Sequence, residues 1–350
     1  MEFKCLATAI SSLPFKDARK ACEVVFRYLP DIPAWPQLPA IGFRENMYAQ
    51  LSGKVPGLKL VEEDKKIVFE TEEDNNSEME KFYENVISGN VEYFSIEEEF
   101  AAGLYEFVSV LKKDKGLRSK VKYLKGHITG PVSFGMTITD TNRKAVFYNE
   151  QYRDIVVKNC AMKAKWQVRF LRKETGLKDV IIFIDEPYMA SFGSSFMAVR
   201  KEDVISGINE VVQGIHSENA LAGIHCCGNT DWSVLLSAGA DILSFDAYNY
   251  IESIMLYPET LTKHFSSGCT LSWGIVPSSA EIRVENLDSL ASKLINGISS
   301  LSRKGIDREI IMKNCLLTPS CGLGTLGEDN ANSILKLNYE LSERMRSGIK

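Results

Sequence analysis

The stretch Leu221-Ala-Gly-Ile-His-Cys-Cys-Gly-Asn-Thr-Asp-Trp232 begins as an apolar strand, ends in soft metal ligands and then turns into helical sequence. On an extended strand, residues two apart share a face, so His225 and Cys227 emerge together while Cys226 points the other way. Two such ligands do not complete a zinc site, which takes four donors or three plus an open position. The remaining donors have to come from other strand ends, and Asp246 and Cys321 are placed to supply them.

Working outward, the same strand-then-helix unit recurs. Val180-Ile-Ile-Phe-Ile-Asp-Glu-Pro187 is a continuous apolar run, the mark of a strand buried on both faces. Further strands are expected at Cys5–Ser12, Val121–Ile128, Asp241–Asp246, Cys269–Ile275 and Ile310–Thr318. A short one falls within the proline-rich Ile32–Pro39, because proline supplies no ladder donor. Helical patterns separate them, near Lys16–Leu29, Arg143–Glu174, Glu202–His216, Trp232–Ala238, Tyr257–Phe265, Leu287–Arg303 and Asn330–Arg346. Eight strands, each followed by helix, predict an α/β chain folded as a (β/α)₈ TIM barrel. After the second strand, residues 55–115 read as an excursion. It comprises a charged hairpin over Leu58–Glu70 turning near Asp64-Lys65, an acidic solvated stretch from Glu72 to Glu80, and helices near Glu78–Ile87 and Ile96–Lys113.

Size and composition agree with one large catalytic domain covering residues 1–350. The chain has 350 residues, is 45% hydrophobic and carries a net charge of -5, with no basic surplus to gather on nucleic acid or acidic membranes. No apolar run approaches the ~20 residues of a membrane span, and the N-terminus lacks a secretory pattern. A cytoplasmic protein is expected. Its eight cysteines show no framework spacing, which in a reducing compartment suggests core thiols and metal ligands.

In a barrel, function gathers where the strands end. The unusual residues fall there: Ser11-Ser12, Thr129-Gly-Pro131, Asp185-Glu-Pro187, His225-Cys-Cys227, Asp246 and Ser320-Cys321. Taken singly each has an ordinary reading. A buried Cys is usually a small hydrophobe, and Asp246 could cap a helix. In a barrel, adjacent strand ends would bring His225, Cys227, Asp246 and Cys321 around one point, a sulfur-rich set that suits Zn2+ and would bind a substrate thiol and keep it nucleophilic at neutral pH, which implies alkyl transfer to sulfur. Gly322-Leu-Gly-Thr-Leu-Gly327 fits a dinucleotide fingerprint, but too little chain follows it for a βαβ unit. His127 reads as a polar barrel residue, His216 and His264 as surface residues of helices, and Trp35 and Trp273 as packing groups.

Over nearly its whole length the chain resembles the C-terminal catalytic half of cobalamin-independent methionine synthase. That superfamily also contains methylcobamide:coenzyme M methyltransferases and uroporphyrinogen decarboxylase. The likeness lies in Ile10-Ser-Ser-Leu-Pro14, Lys125-Gly-His-Ile-Thr-Gly-Pro-Val132, Ile184-Asp-Glu-Pro187, His225-Cys-Cys227, Ala240–Asp246 and Thr318-Pro-Ser-Cys-Gly-Leu323. It implies zinc held by His225, Cys227, Asp246 and Cys321. It also implies Asp185 on the amino group of homocysteine, Ser12 on its carboxylate, and Glu45 as a further amino-binding acid. The product would be methionine.

Four departures bear on this. Asp246 stands where methionine synthases carry Glu. Ser133-Phe-Gly-Met-Thr-Ile138 lacks the folate-stacking Trp, and Gly274-Ile-Val-Pro-Ser-Ser279 lacks the proton-supplying His. The N-terminal half that helps bind polyglutamyl folate is also missing from this chain. Expelling a folate amine requires a proton, and a general acid typically contributes roughly 10²–10⁴-fold; a cobalt(I) corrinoid leaves without one. A methylcorrinoid protein is therefore the expected donor. The alternatives are methyl transfer to coenzyme M, another thiol alkylation, or a non-enzymatic zinc-stabilised scaffold or corrinoid-protein partner. Asp185 and Ser12 suit an amino acid better than a sulfonate. Uroporphyrinogen decarboxylase, which needs no metal and relies on arginines near the first strand, fits poorly.

Overall fold

A computed structural model describes residues 2–70, 75–194 and 197–348. Among them are ten strands: β1 Leu6–Ala7, β2 Leu58–Val61, β3 Lys66–Phe69, β4 Leu124–Thr129, β5 Thr139–Asp140, β6 Val180–Asp185, β7 Leu221–Cys226, β8 Ile242–Phe245, β9 Thr270–Val276 and β10 Cys315–Pro319. Seven form one sheet in the order β1-β10-β9-β8-β7-β6-β4, and every pairing is parallel. Helices occupy the crossovers, which gives an α/β, barrel-like architecture.

The segment expected as the second strand forms no regular strand. Its contribution is two isolated parallel bridges, Gln37 to Ser12 and Ala34 to Lys125, which link the two edges of the sheet. Pro33, Pro36 and Pro39 have no N–H, so only intervening residues donate: Trp35 to the Lys125 carbonyl at 3.1 Å and Gln37 to the Ser11 carbonyl at 3.0 Å.

Alternation along the strands sorts the core. On β6, Val180, Ile182 and Ile184 join the large cluster that also takes up residues of the surrounding helices. Ile181 and Phe183 join a smaller cluster with Phe3, Leu6, Ile10, Ile32, Ile242 and Leu316 on the opposite, inner face. Asp185 continues that inner series, as His225 does on β7 after Leu221 and Gly223. Cys226 faces the large cluster with no exposure.

Several elements differ from the sequence expectation. Ile310–Asn314, expected as strand, is mostly helix: Arg308–Lys313 is helical because the Asp307 side chain accepts from the Glu309 N–H and caps it. Only Ile311 of that helix is buried, and the strand begins at Cys315. The helix expected from Arg143 starts at Glu150, capped by Asn149, and runs to Thr175. Before it lie an unforeseen helix, Pro131–Thr137, with proline in its first turn, and the short β5. His264 is buried, not on the surface, and its Nε2 lies 3.1 Å from the Thr270 carbonyl.

Beyond the sheet edge, β2 and β3 form an antiparallel hairpin with Lys65 at φ 51° in its turn. β3 also pairs with β5. The start of the acidic stretch, residues 72–74, lies outside the described residues. Among the described residues, no helix is long and apolar enough to cross a membrane.

Candidate metal centre and ligand cavity

Inner-face residues at the C-terminal strand ends converge on a cavity of about 300 Å³. Its walls include Ser12, Asn46, His127, Asp185, His225, Cys227 and Cys321. Only His127 and Asn46 among these were not assigned to a site from the sequence.

The ligand atoms of His225, Cys227 and Cys321 all lie within 4.8 Å of one another. A tetrahedral zinc site with bonds of roughly 2.0–2.3 Å holds its donors roughly 3.3–3.8 Å apart, so a modest contraction would close this cluster on an ion. The imidazole is oriented for it. His225 Nδ1 lies 3.0 Å from Ser244 Oγ, while Nε2 is buried without a hydrogen-bond partner. A buried ring nitrogen left bare beside two thiols is what a ligating histidine requires. The two sulfur atoms influence each other. Interaction with the neighbouring Cys321 thiol lowers the pKa of Cys227 against the opposing effect of burial, and His225 adds to the lowering. The same interaction, together with burial, drives Cys321 up.

Asp246 is adjacent but outside this trio. It is the N-cap of Ala247–Ile254: one carboxylate oxygen accepts from the Asn249 N–H at 2.9 Å, the other from Asn249 Nδ2 at 2.8 Å. Burial raises its pKa and the Asn249 hydrogen bonds oppose that rise. Each oxygen thus keeps a second lone pair that could face a metal.

Asp185 lies in the cavity wall with Oδ1 buried and unpartnered. Burial pushes it up to about 6, against the pull of His225 and Lys125. Lys125 is itself buried on the inner face, its Nζ 3.9 Å from the centroid of the Phe183 ring, and burial brings it down to about 8. Ser12 is held from below by the Cys321 loop, where the Leu323 N–H donates to its carbonyl at 2.7 Å. A Cβ on Gly324 would come within 2.1 Å of Ser12 Oγ, so the glycine is there for close approach.

Glu45 does not line the cavity. Its carboxylate is buried and accepts from the N–H of Ala102 at 2.6 Å and of Leu38 at 3.4 Å, with burial lifting it to about 7. Its neighbour Asn46 reaches the cavity instead. Glu186 is likewise internal. It accepts from Val132 N, Ser133 N and Ser133 Oγ at the start of Pro131–Thr137. Ser244, which fixes the His225 ring, was missed from the sequence, although its place two residues before Asp246 on one strand face was a usable signal.

No protein-family model matches the chain. A curated methionine synthase of Methanocaldococcus jannaschii is 25% identical over 225 residues, or 64% of this chain and 65% of the relative. The match thus spans about 65% of that relative's length. Among solved structures, a Listeria monocytogenes protein described as a vitamin-B12-independent methionine synthase is similar with a TM-score of 0.52 and 13% identity, covering 99% of this chain and 98% of that one. This likeness supports the fold. A B12-independent methionine synthase from Shewanella sp. W3-18-1, in complex with selenomethionine, has a TM-score of 0.46 and 16% identity, covering 69% of this chain and 67% of that one.

Proposed function

We propose that the protein is a methyltransferase that methylates the sulfur of homocysteine to give methionine. The observation that carries this is the convergence of one imidazole and two thiols within 4.8 Å in the wall of a cavity that also contains Asp185 and Ser12. The curated relative is named a methionine synthase, which supports the same reading.

In this proposal His225, Cys227 and Cys321 hold zinc, with Asp246 either a neighbouring cap or a fourth donor. Bound there, zinc would lower the pKa of an incoming thiol and keep its sulfur nucleophilic at neutral pH. The chain's own groups orient the substrate. Asp185 offers the bare Oδ1 to an ammonium, and Ser12 offers a hydroxyl to a carboxylate. The sulfur attacks the donor's methyl carbon, a carbon–sulfur bond forms, and the bond to the donor breaks with its electron pair leaving on the donor. The thiol proton goes to solvent.

We take the donor to be a methylcorrinoid protein. The support lies in the residues lining the cavity, whose histidines are His225 and His127. Burial and the nearby Lys125 hold His127 well below the usual histidine range, which disfavours the imidazolium that a general acid for an amine leaving group would need. A corrinoid cobalt departs without one. The names of the solved neighbours argue for a donor other than a corrinoid in those proteins, so the test needs both arms.

Zinc-loaded protein should gain one sulfur scatterer in its zinc X-ray absorption spectrum when homocysteine is added. It should then release methionine with a methylcorrinoid protein faster than with methyltetrahydrofolate. No added sulfur would leave a structural zinc site, and faster turnover with the folate would overturn the donor assignment alone.

A further inference from the structure

We infer that His127 is a substrate-binding residue, whose ring nitrogen accepts a hydrogen bond from the ammonium group of the amino-acid thiol that Asp185 also holds. This rests on the homocysteine reading above and adds a second acceptor to it.

His127 is only 5% exposed, yet neither Nδ1 nor Nε2 has a hydrogen-bond partner, and the residue lines the cavity. Buried polar atoms are almost always paired, so two bare nitrogens on one ring call for an explanation. A packing role would be met as well by methionine or leucine, without the cost of stripping a polar ring of water.

The ring is also held in place from several sides. Trp35 stacks on it with centroids 3.9 Å apart and planes at 30°. Trp35 Nε1 donates to Gln167 Oε1 at 3.0 Å, and Gln167 Nε2 donates to the His127 carbonyl at 2.8 Å. The proline-rich segment, the Glu150–Thr175 helix and β4 thus combine to fix a ring whose polar atoms touch nothing. Fixed, unsatisfied groups in a cavity wall are the arrangement expected of a binding site awaiting its ligand.

The chemistry of the ligand follows from the neighbours. Burial and Lys125 both disfavour the imidazolium, so the ring presents one N–H and one lone pair. Apart from His225 Nε2, which the proposed function gives to the metal, the bare acceptor in the wall is Asp185 Oδ1, on the adjacent strand β6, where Thr129 pairs with Asp185 and His127 with Phe183. A primary ammonium has three N–H groups and can satisfy both acceptors at once. A thiol lacking the amine can satisfy neither.

The test compares homocysteine with 4-mercaptobutanoate, the same thiol acid without its amino group, by calorimetric titration of full-length zinc-loaded protein. His127→Met should weaken homocysteine binding by roughly 10–100-fold, the effect of one hydrogen bond to a charged group, and leave 4-mercaptobutanoate binding and zinc content unchanged. His127→Gln, which restores an acceptor, should recover part of the loss. Equal weakening of both thiols would mean a packing role and overturn the inference, as would no change in either. If wild-type protein binds neither thiol, the proposed function falls and this inference with it. If it binds homocysteine normally and His127→Met does too, only this inference falls.

Discussion

His225 and Ser244 are direct partners in the register between β7 and β8, and the pairing sets the chemistry of the imidazole. With Nδ1 3.0 Å from the Ser244 hydroxyl, the ring cannot rotate away without losing that bond, and Nε2 is left without a hydrogen-bond partner in a residue clustered with two thiols. Ser244 has no exposure to solvent, so no water replaces its hydroxyl. Ser244→Ala is therefore expected to lower zinc affinity by about 10–100-fold, the usual cost of removing a group that orients a ligating histidine, with the cluster still assembled. Competition against a chromophoric chelator measures this. Unchanged affinity would mean that the ring is oriented by packing alone.

Asp246 separates two roles that its position leaves adjacent. Asn is as good an N-cap as Asp, so Asp246→Asn should leave thermal stability nearly unaltered while removing the charge a metal would use. Because both oxygens already receive Asn249, the substitution is expected to weaken zinc binding less than Cys321→Ala does. Cys321→Ala should abolish stoichiometric retention of zinc on gel filtration. Should Asp246→Asn lose zinc as completely as Cys321→Ala, the carboxylate is a full ligand.

Much of the candidate site was legible because strand alternation is a short-range rule. Leu221, Gly223 and His225 share a face whatever surrounds them, and Cys226 must oppose them. The convergence of His225 with Cys321 was legible only through the count of strand–helix units that makes a barrel. What the sequence hid depended on competition between local signals. Ile310-Ile-Met312 has the composition of a strand, but the Asp307 cap and the three charged residues around it win a turn of helix instead. Prolines in Ile32–Pro39 announced a short strand without showing that it would shrink to two bridges. Glu45 looked like a ligand-facing acid because its charge is plain in the sequence, whereas its partners, the Leu38 N–H of the proline-rich segment and the first N–H of the helix Ala102–Lys113, are brought to it by tertiary packing that no local pattern describes.

That buried Glu45 also predicts a pH dependence. Its folded pKa is raised by burial to about 7, above the unfolded value of about 4.3. Between those values the folded chain binds the proton that the unfolded chain has released, so stability falls as pH rises through that window, by up to about 1.4 kcal/mol per pH unit. Glu186, raised by burial to about 7 as well, adds a slope of the same sign. Urea midpoints for wild type should drop from pH 5 to pH 7, and Glu45→Gln should drop less steeply. Parallel curves for the two proteins would show that Glu45 is ionised in the folded state across the range.

Gly324 offers the sharpest test of how the Cys321 loop shapes the cavity. A Cβ there would lie 2.1 Å from Ser12 Oγ and 2.9 Å from Pro39 Cγ, distances no relaxed side chain tolerates. Ser12 cannot retreat freely, because its carbonyl receives Leu323 N–H and it bridges Gln37. Pro39 is held by its ring and by its buried neighbour Leu38. Gly324→Ala should therefore cost about 1–3 kcal/mol of stability, as overpacking generally does, and should displace Ser12 from the cavity wall. If Ser12 receives the substrate carboxylate, the same variant weakens binding of homocysteine but not of a simple alkanethiol, with zinc content preserved. Full stability and unaltered affinity for both thiols would show that the loop has slack, and that Ser12 does not depend on it for position.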